Sequence, residues 1–233
     1  MKRRLMTKSI SYTCITPVRP TDDYILEALS SIEMQSVPPE RILVIVNGGS
    51  LNDGNVAFDV WRHFPRAEIH QLDEPGVVPA MRMALRICNT EFITFLDSDD
   101  LWVPEKSEIQ LRILEENKLL DAVFGGVQNF TTQNNVEMQI ANPIVARLFP
   151  ATTFRKRAFD KNGYLDSAAS HFNWLYRWWM KAATTGVITQ DHPEIVLKRR
   201  ISEVNLWKTE HDVGKKTLFN ELRESFKGAP VDQ

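Results

Sequence analysis

The chain has 233 residues, 43% hydrophobic and 25% charged, enough to bury a full core in one large domain or a domain with an appendage. A net charge of -2 excludes a bulk electrostatic pull toward nucleic acid or membrane, although the run Lys198-Arg199-Arg200 still makes a local basic patch. The basic start MKRRLMTKSISYT passes into polar residues and no apolar run approaches the ~18 residues of a spanning helix, so a soluble, cytoplasmic protein without a transmembrane segment is expected.

Residues 10–16, ISYTCIT, favour a strand, which Pro17 and Pro20 are expected to break into a loop. A helix follows, capped by Thr21 or Asp22, with Ile25, Leu29 and Ile32 at helical spacing and an end before Pro38-Pro39. The next strand, 41–46, reads RILVIV without polar alternation, as a parallel strand covered on both faces does. Asn47-Gly48-Gly49-Ser50 makes the turn after it, then come a helix over 53–64, a strand over 67–72, a helix over 77–88 and a strand over 91–96. Such alternation predicts a doubly wound parallel sheet, because each parallel connection needs a crossover. Pro104 suits the first turn of a further helix packed by Ile109, Leu111 and Leu114, and 121–127 reads as another strand. Beyond Asn129 the alternation weakens and Gln, Asn and Thr accumulate, so the second half is expected to differ in role.

Two cysteines, Cys14 and Cys88, lie in apolar surroundings and make neither a disulfide framework nor a metal pattern; buried thiols are expected. The sequon-like Asn129-Phe130-Thr131 carries no weight without a secretory signal.

The segment FITFLDSDDLWVPEK drives an apolar strand into Asp97, Asp99 and Asp100. In open α/β sheets ligands bind outside the carboxyl ends of the strands, which puts these carboxylates on the ligand edge. Two carboxylates one residue apart repel each other unless something offsets the cost, and a hard cation such as Mg2+ or Mn2+ shared with substrate phosphates does so. An Asp-rich turn that caps the next helix is the plainer reading of the same spacing.

Five landmarks in order resemble a family 2 glycosyltransferase of GT-A fold: CITPVRP, ALSSIEMQSVPPE, ILVIVNGGS, EPGVVPAMRMAL and FITFLDSDDLWVPEK. The resemblance implies a Rossmann-like, mostly parallel α/β sheet flanked by helices. Residues 1–130 would be its nucleotide-sugar-binding half, and 131–233 a smaller acceptor-side half with a C-terminal tail. It also implies transfer of a hexosyl or pentosyl group from a nucleoside-diphosphate sugar to an acceptor hydroxyl, with inversion and with Mn2+ or Mg2+. Residue by residue, Thr16 and Pro17 answer to the loop against the base, and Asn47 stands where the family has an aspartate that reads the base imide. Arg82 answers to an arginine for the base edge or diphosphate, Asp97 with Ser98 to the ribose side of the motif, and Asp99 to the cation ligand. Asn47 also reads as a turn former beside Gly48, and Arg82 as a solvated helix charge.

The family's catalytic base falls in NGYLDSAASHFNWLYRWWMKAATTG, where the expected Glu-Asp is absent. His171, with an ordinary pKa near neutrality, is the expected base and Asp166 the reserve; a structural helix-entry histidine and a capping aspartate are the plain alternatives. Trp174, Trp178 and Trp179 share a helix face that reads first as core and second as a stacking surface for an acceptor. Ser202 replaces a His that the family often carries after its Arg-rich strand, and His211 is the possible substitute. The acceptor is left open among a sugar, a lipid-linked glycan, a peptide and a hydroxylated nucleobase in DNA. Two other readings compete: a degenerate nucleotide-binding member without turnover, and a haloacid-dehalogenase-type phosphatase, whose downstream motifs are not found.

Overall fold

The computed structural model describes residues 10–133, 136–165 and 174–201. Its first part runs β1 (Tyr12–Val18), α1 (Ile25–Glu33), β2 (Arg41–Asn47), α2 (Val56–His63), β3 (Ala67–Leu72), α3 (Val77–Ile87) and β4 (Phe92–Phe95). This is the predicted alternation. The strands are parallel in the order β3-β2-β1-β4, so the chain winds outward from β1 and then returns to its other side. That reversal between β1 and β4 makes their carboxyl ends the switch point of the sheet, the usual ligand position of such folds.

Pro17 lies inside β1, opposite Ile45, where the sequence predicted a break. The amide of Leu96 donates to the Ile15 carbonyl, so alternate β1 residues turn their backbone groups toward β4. Pro17 belongs to that set but lies past the last β1–β4 pair, Ile15–Phe95. Its missing N–H therefore falls where no partner strand remains, and the strand tolerates it.

The second part adds β5 (Leu101–Trp102), α4 (Lys106–Glu116), β6 (Ala122–Gln133), β7 (Val136–Gln139), β8 (Ile144–Val145), β9 (Thr152–Arg155), α5 (Arg157–Asn162), α6 (Trp174–Thr184) and β10 (Thr189–Arg200). All ten strands among the described residues join one sheet, in which β9 lies antiparallel between β4 and β6, β10 runs parallel to β6, and β5 closes antiparallel on β10. The sheet is therefore mixed in this part, since antiparallel neighbours need no crossover helix. Pro104 precedes α4 by two residues instead of opening its first turn, and the short β5 pairing was not anticipated.

One face of the sheet packs Phe95, Phe149, Phe154 and Phe159 against Trp178 and Trp179 of α6. Phe149 meets Trp174 at 5.0 Å and Trp178 at 5.2 Å, both edge to face. The tryptophan stripe is core. The opposite face is filled from α1 and α2 by Ile25, Leu29, Ile32, Val56 and Val60. Cys14 and Cys88 are buried free thiols, and burial pushes the Cys14 thiol up to about 12. Pro193 sits in β10 within a bulge between Asp191 and Ile195, the kind of site where a strand accepts proline. No helix among the described residues is long and apolar enough to cross a membrane.

Candidate active site

The carboxyl ends of β1, β2 and β4 bring Thr16, Pro17, Asn47 and Asp97–Asp99 to one edge of the sheet. Thr16 is fully buried within β1, a strand residue rather than a loop residue, and its Oγ1 has no hydrogen-bond partner among the described residues. Asn47 ends β2 and is also buried. Its Nδ2 donates to the Val18 carbonyl at 3.1 Å and its Oδ1 accepts the Gly76 amide at 2.9 Å. One side chain thus ties the end of β1 to the start of α3. Gly76, at φ 119, sits in a region that L side chains avoid, and this lets its amide turn back to Asn47.

Arg82 follows the start of α3 by five residues, roughly 8 Å along the axis. It is half-buried, and its guanidinium has no hydrogen-bond or ion-pair partner among the described residues. Asp166 and His171 lie outside the described residues, as do Ser202 and His211.

The turn after β4 concentrates negative charge. Asp97 and Asp99 are half-buried and Asp100 is 3% exposed. Burial, reinforced by the charge of Asp99, pushes the Asp97 carboxyl up to about 6. Burial and then the charge of Asp22 raise Asp99, while burial with Asp99 and Asp97 raises Asp100 well above the ordinary carboxylate range. Against these, Arg199 favours the ionised form of all three. Ser98 Oγ donates to Asp22 Oδ2 at 2.8 Å, and the other Asp22 oxygen accepts the Tyr24 amide. Asp22 therefore holds the entry to α1 against the acidic turn; the N-cap position itself is Tyr24 and carries no side-chain cap, in place of the Thr21 or Asp22 cap expected from the sequence.

Among the described residues no group of three or more His, Cys, Asp or Glu side chains is arranged to hold a metal unaided. The donor set still suits a hard cation. Crowded carboxylates with raised pKa values gain from a positive charge, and Mg2+ or Mn2+ takes one or two protein carboxylates and draws its remaining oxygens from water and phosphate.

Asp22, Arg199 and Arg200 were not singled out as site residues from the sequence. Asp22 had the signature of a cap and the two arginines that of a surface basic run. Their position at the end of a strand that follows an apolar stretch was the available signal, but the pairing of β10 with β5 that brings them to the acidic turn is not visible in one dimension.

Residues 13–178 match the profile of Glycosyl transferase family 2. An uncharacterized glycosyltransferase of Rickettsia felis is 30% identical over 106 residues, 46% of this chain and 17% of that protein. Glycosyltransferase GlyG of Streptococcus pneumoniae is 26% identical over 117 residues, 50% of this chain and 38% of the relative. The chain thus spans less than half the length of the curated relatives it matches. Residues 1–349 of S. aureus TarS, solved alone and with UDP-GlcNAc, superpose with TM-scores of 0.63 and 0.62 at 19% and 18% identity, covering 82% and 83% of this chain and 60% and 59% of those 1–349 chains. The TarS likeness establishes the GT-A-type arrangement of sheet and helices. With the profile matching well over half of its length, the chain belongs to glycosyl transferase family 2.

Proposed function

We propose that the chain is a divalent-cation-dependent, inverting glycosyltransferase that takes a sugar from a nucleoside-diphosphate sugar to an acceptor hydroxyl. The observation that carries this reading is the placement of Asp97 and Asp99 at the β1/β4 switch point of a family 2 fold. Thr16, Pro17 and Asn47 line the base side, Asp97 and Ser98 the ribose, and Arg82 approaches the base edge or diphosphate. Asp99 holds Mn2+ or Mg2+. When bound, the cation supplies positive charge to the phosphate oxygen that departs.

The sugar–oxygen bond to the diphosphate breaks as the acceptor oxygen bonds to the anomeric carbon, and the acceptor proton passes to a general base. His171 is that base in this reading and Asp166 the reserve. Residues 1–130 form the donor half and 131–233 the acceptor half, in a cytoplasmic protein whose acceptor class is one of the four named above. Family membership speaks against the phosphatase alternative.

Calorimetry with UDP and Mn2+ tests the site: Asp99→Ala is expected to lose the manganese-dependent gain in affinity. Unchanged binding would move the cation elsewhere. In turnover assays of UDP release from a panel of UDP-sugars, His171→Ala is expected to bind donor normally and transfer ~100-fold or more slowly. Full-rate transfer by that variant would shift the role to Asp166. A second reading, binding without turnover, draws support from Asn47, whose amide is already engaged by backbone groups on both sides. Absence of UDP release with every acceptor class would favour it.

A further inference from the structure

Arg200 is the last residue of β10 and is 4% exposed. Its guanidinium reaches three separate elements. Nε donates to the Asp99 carbonyl at 3.0 Å, one terminal nitrogen to Thr132 Oγ1 of β6 at 2.8 Å, and the other to Glu27 Oε2 of α1 at 2.6 Å. The same group lies 4.2 Å from the centre of the Tyr24 ring and 4.7 Å from that of Phe130. From the backbone, the Arg200 amide donates to Asp100 Oδ1 at 2.8 Å.

This arrangement follows from topology. β5 pairs antiparallel with β10 through Leu101–Lys198 and Trp102–Leu197, so the residues just before β5 run beside those at the end of β10. Asp100 and Asp99 therefore meet Arg199 and Arg200 by register. The side chain of Asp100 takes the strand-edge amide that the short β5 leaves uncovered, and the Arg200 fork spans from the acidic turn to α1 and β6. A planar group with donors at both ends and aromatic rings against its faces sets a direction as well as a charge.

We propose that Arg200 is a positioning residue that holds the Asp97–Asp100 turn in the conformation required for cation-dependent binding of the donor diphosphate. The proposal rests on the reading of Asp99 as the cation ligand. Arg200 acts through the turn it grips: it fixes the Asp99 main chain at the carbonyl and the Asp100 carboxylate at the strand amide. Arg200 makes none of these hydrogen bonds to the Asp99 carboxylate itself, which is the group the site uses.

The test compares UDP affinity by calorimetry with MnCl2 and with EDTA, for wild type, Arg200→Met and Arg200→Lys. Methionine keeps much of the apolar volume and loses every donor; lysine keeps the charge and loses the fork. Both variants are expected to keep the metal-free affinity for UDP and to lose about 10- to 100-fold of the affinity with manganese, the usual effect of removing a group that orients a metal ligand. A role in general stability would instead lower the melting temperature and leave binding well below it unchanged, which overturns the proposal. Rescue by Arg200→Lys would overturn the geometric part, since charge alone would then suffice. If wild type itself shows no manganese-dependent gain, the reading of Asp99 fails and the inference falls with it. If neither Arg200 variant folds, Glu27→Gln and Thr132→Val remove one partner each; a selective loss of the manganese-dependent gain in either supports the anchor, and wild-type behaviour in both overturns it.

Discussion

Lys106 is 1% exposed in the core and has no carboxylate among its hydrogen-bond partners. Its Nζ donates to Thr94 Oγ1 at 3.0 Å, Gln110 Oε1 at 3.0 Å and Thr153 Oγ1 at 3.2 Å, and lies 4.3 Å from the centre of the Trp102 ring. Polar dipoles and an aromatic face solvate a cation only in part, and burial pushes the amine down from 10.5 to about 7. Across that interval the unfolded chain binds the proton more tightly than the folded one, so stability rises with pH there. Above ~9 the raised Cys14 thiol acts in the opposite sense, because there the folded chain holds the proton longer. The urea midpoint is therefore expected to climb between about pH 7 and pH 9, and Lys106→Met should flatten the climb. A wild-type midpoint that stays level over this range would show that the network keeps the lysine charged.

At the scale of the element, the β6–β10 pair decides whether β10 reaches the acidic turn. Gly125 of β6 faces the β10 bulge, and a Cβ there would stand 2.4 Å from His192 Cε1 and 2.9 Å from Val196 Cγ2. The His192 ring has little freedom to yield, since Nε2 contacts Gln110 at 3.1 Å and Nδ1 contacts Glu194 at 3.0 Å. Gly125→Ala is thus an overpacking substitution, expected to cost ~1–3 kcal/mol in a denaturant titration. Since β10 carries Arg199 and Arg200, the same variant should also weaken manganese-dependent UDP binding. An alanine variant as stable as wild type would mean that the bulge moves freely.

For the whole molecule, the acidic turn couples stability to pH and, on the proposed reading, to a cation. The folded-state pKa of Asp97 is raised from 3.8 to about 6, so the folded chain holds this proton longer than the unfolded one and stability falls as pH rises through that window. Asp99 and Asp100 shift in the same direction. A cation that binds the ionised turn offsets the loss, and at ~100 times its Kd it contributes ~2.7 kcal/mol, several degrees for a chain of this size. Manganese is therefore expected to raise the melting temperature more at about pH 7 than at about pH 5, where protons compete for the same carboxylates. Equal shifts at both values would place the ion away from this turn.

The alternation of 41–46, 67–72 and 77–88 with their neighbours sufficed for the parallel half of the sheet, because an apolar run in 42–46, polar–apolar alternation in 67–72 and an amphipathic helix over 77–88 each leave a period that local sequence preserves. The acidic turn was legible for the same reason: an apolar strand ends abruptly in carboxylates, and an α/β sheet puts strand ends at the ligand edge. What surrounds that turn was not legible. The course of β1 through Pro17 depends on β4 ending two residues earlier, a fact about a strand 75 or more residues away in sequence. That Asn47 ties Val18 to Gly76, and that Lys198-Arg199-Arg200 closes on Asp99 and Asp100, are likewise products of register between distant strands. Composition and period determined the layers and the chemistry of the strand ends. Tertiary pairing alone decided which charges face one another, because electrostatics and hydrogen bonding act through space over a few ångströms, whatever the separation along the chain.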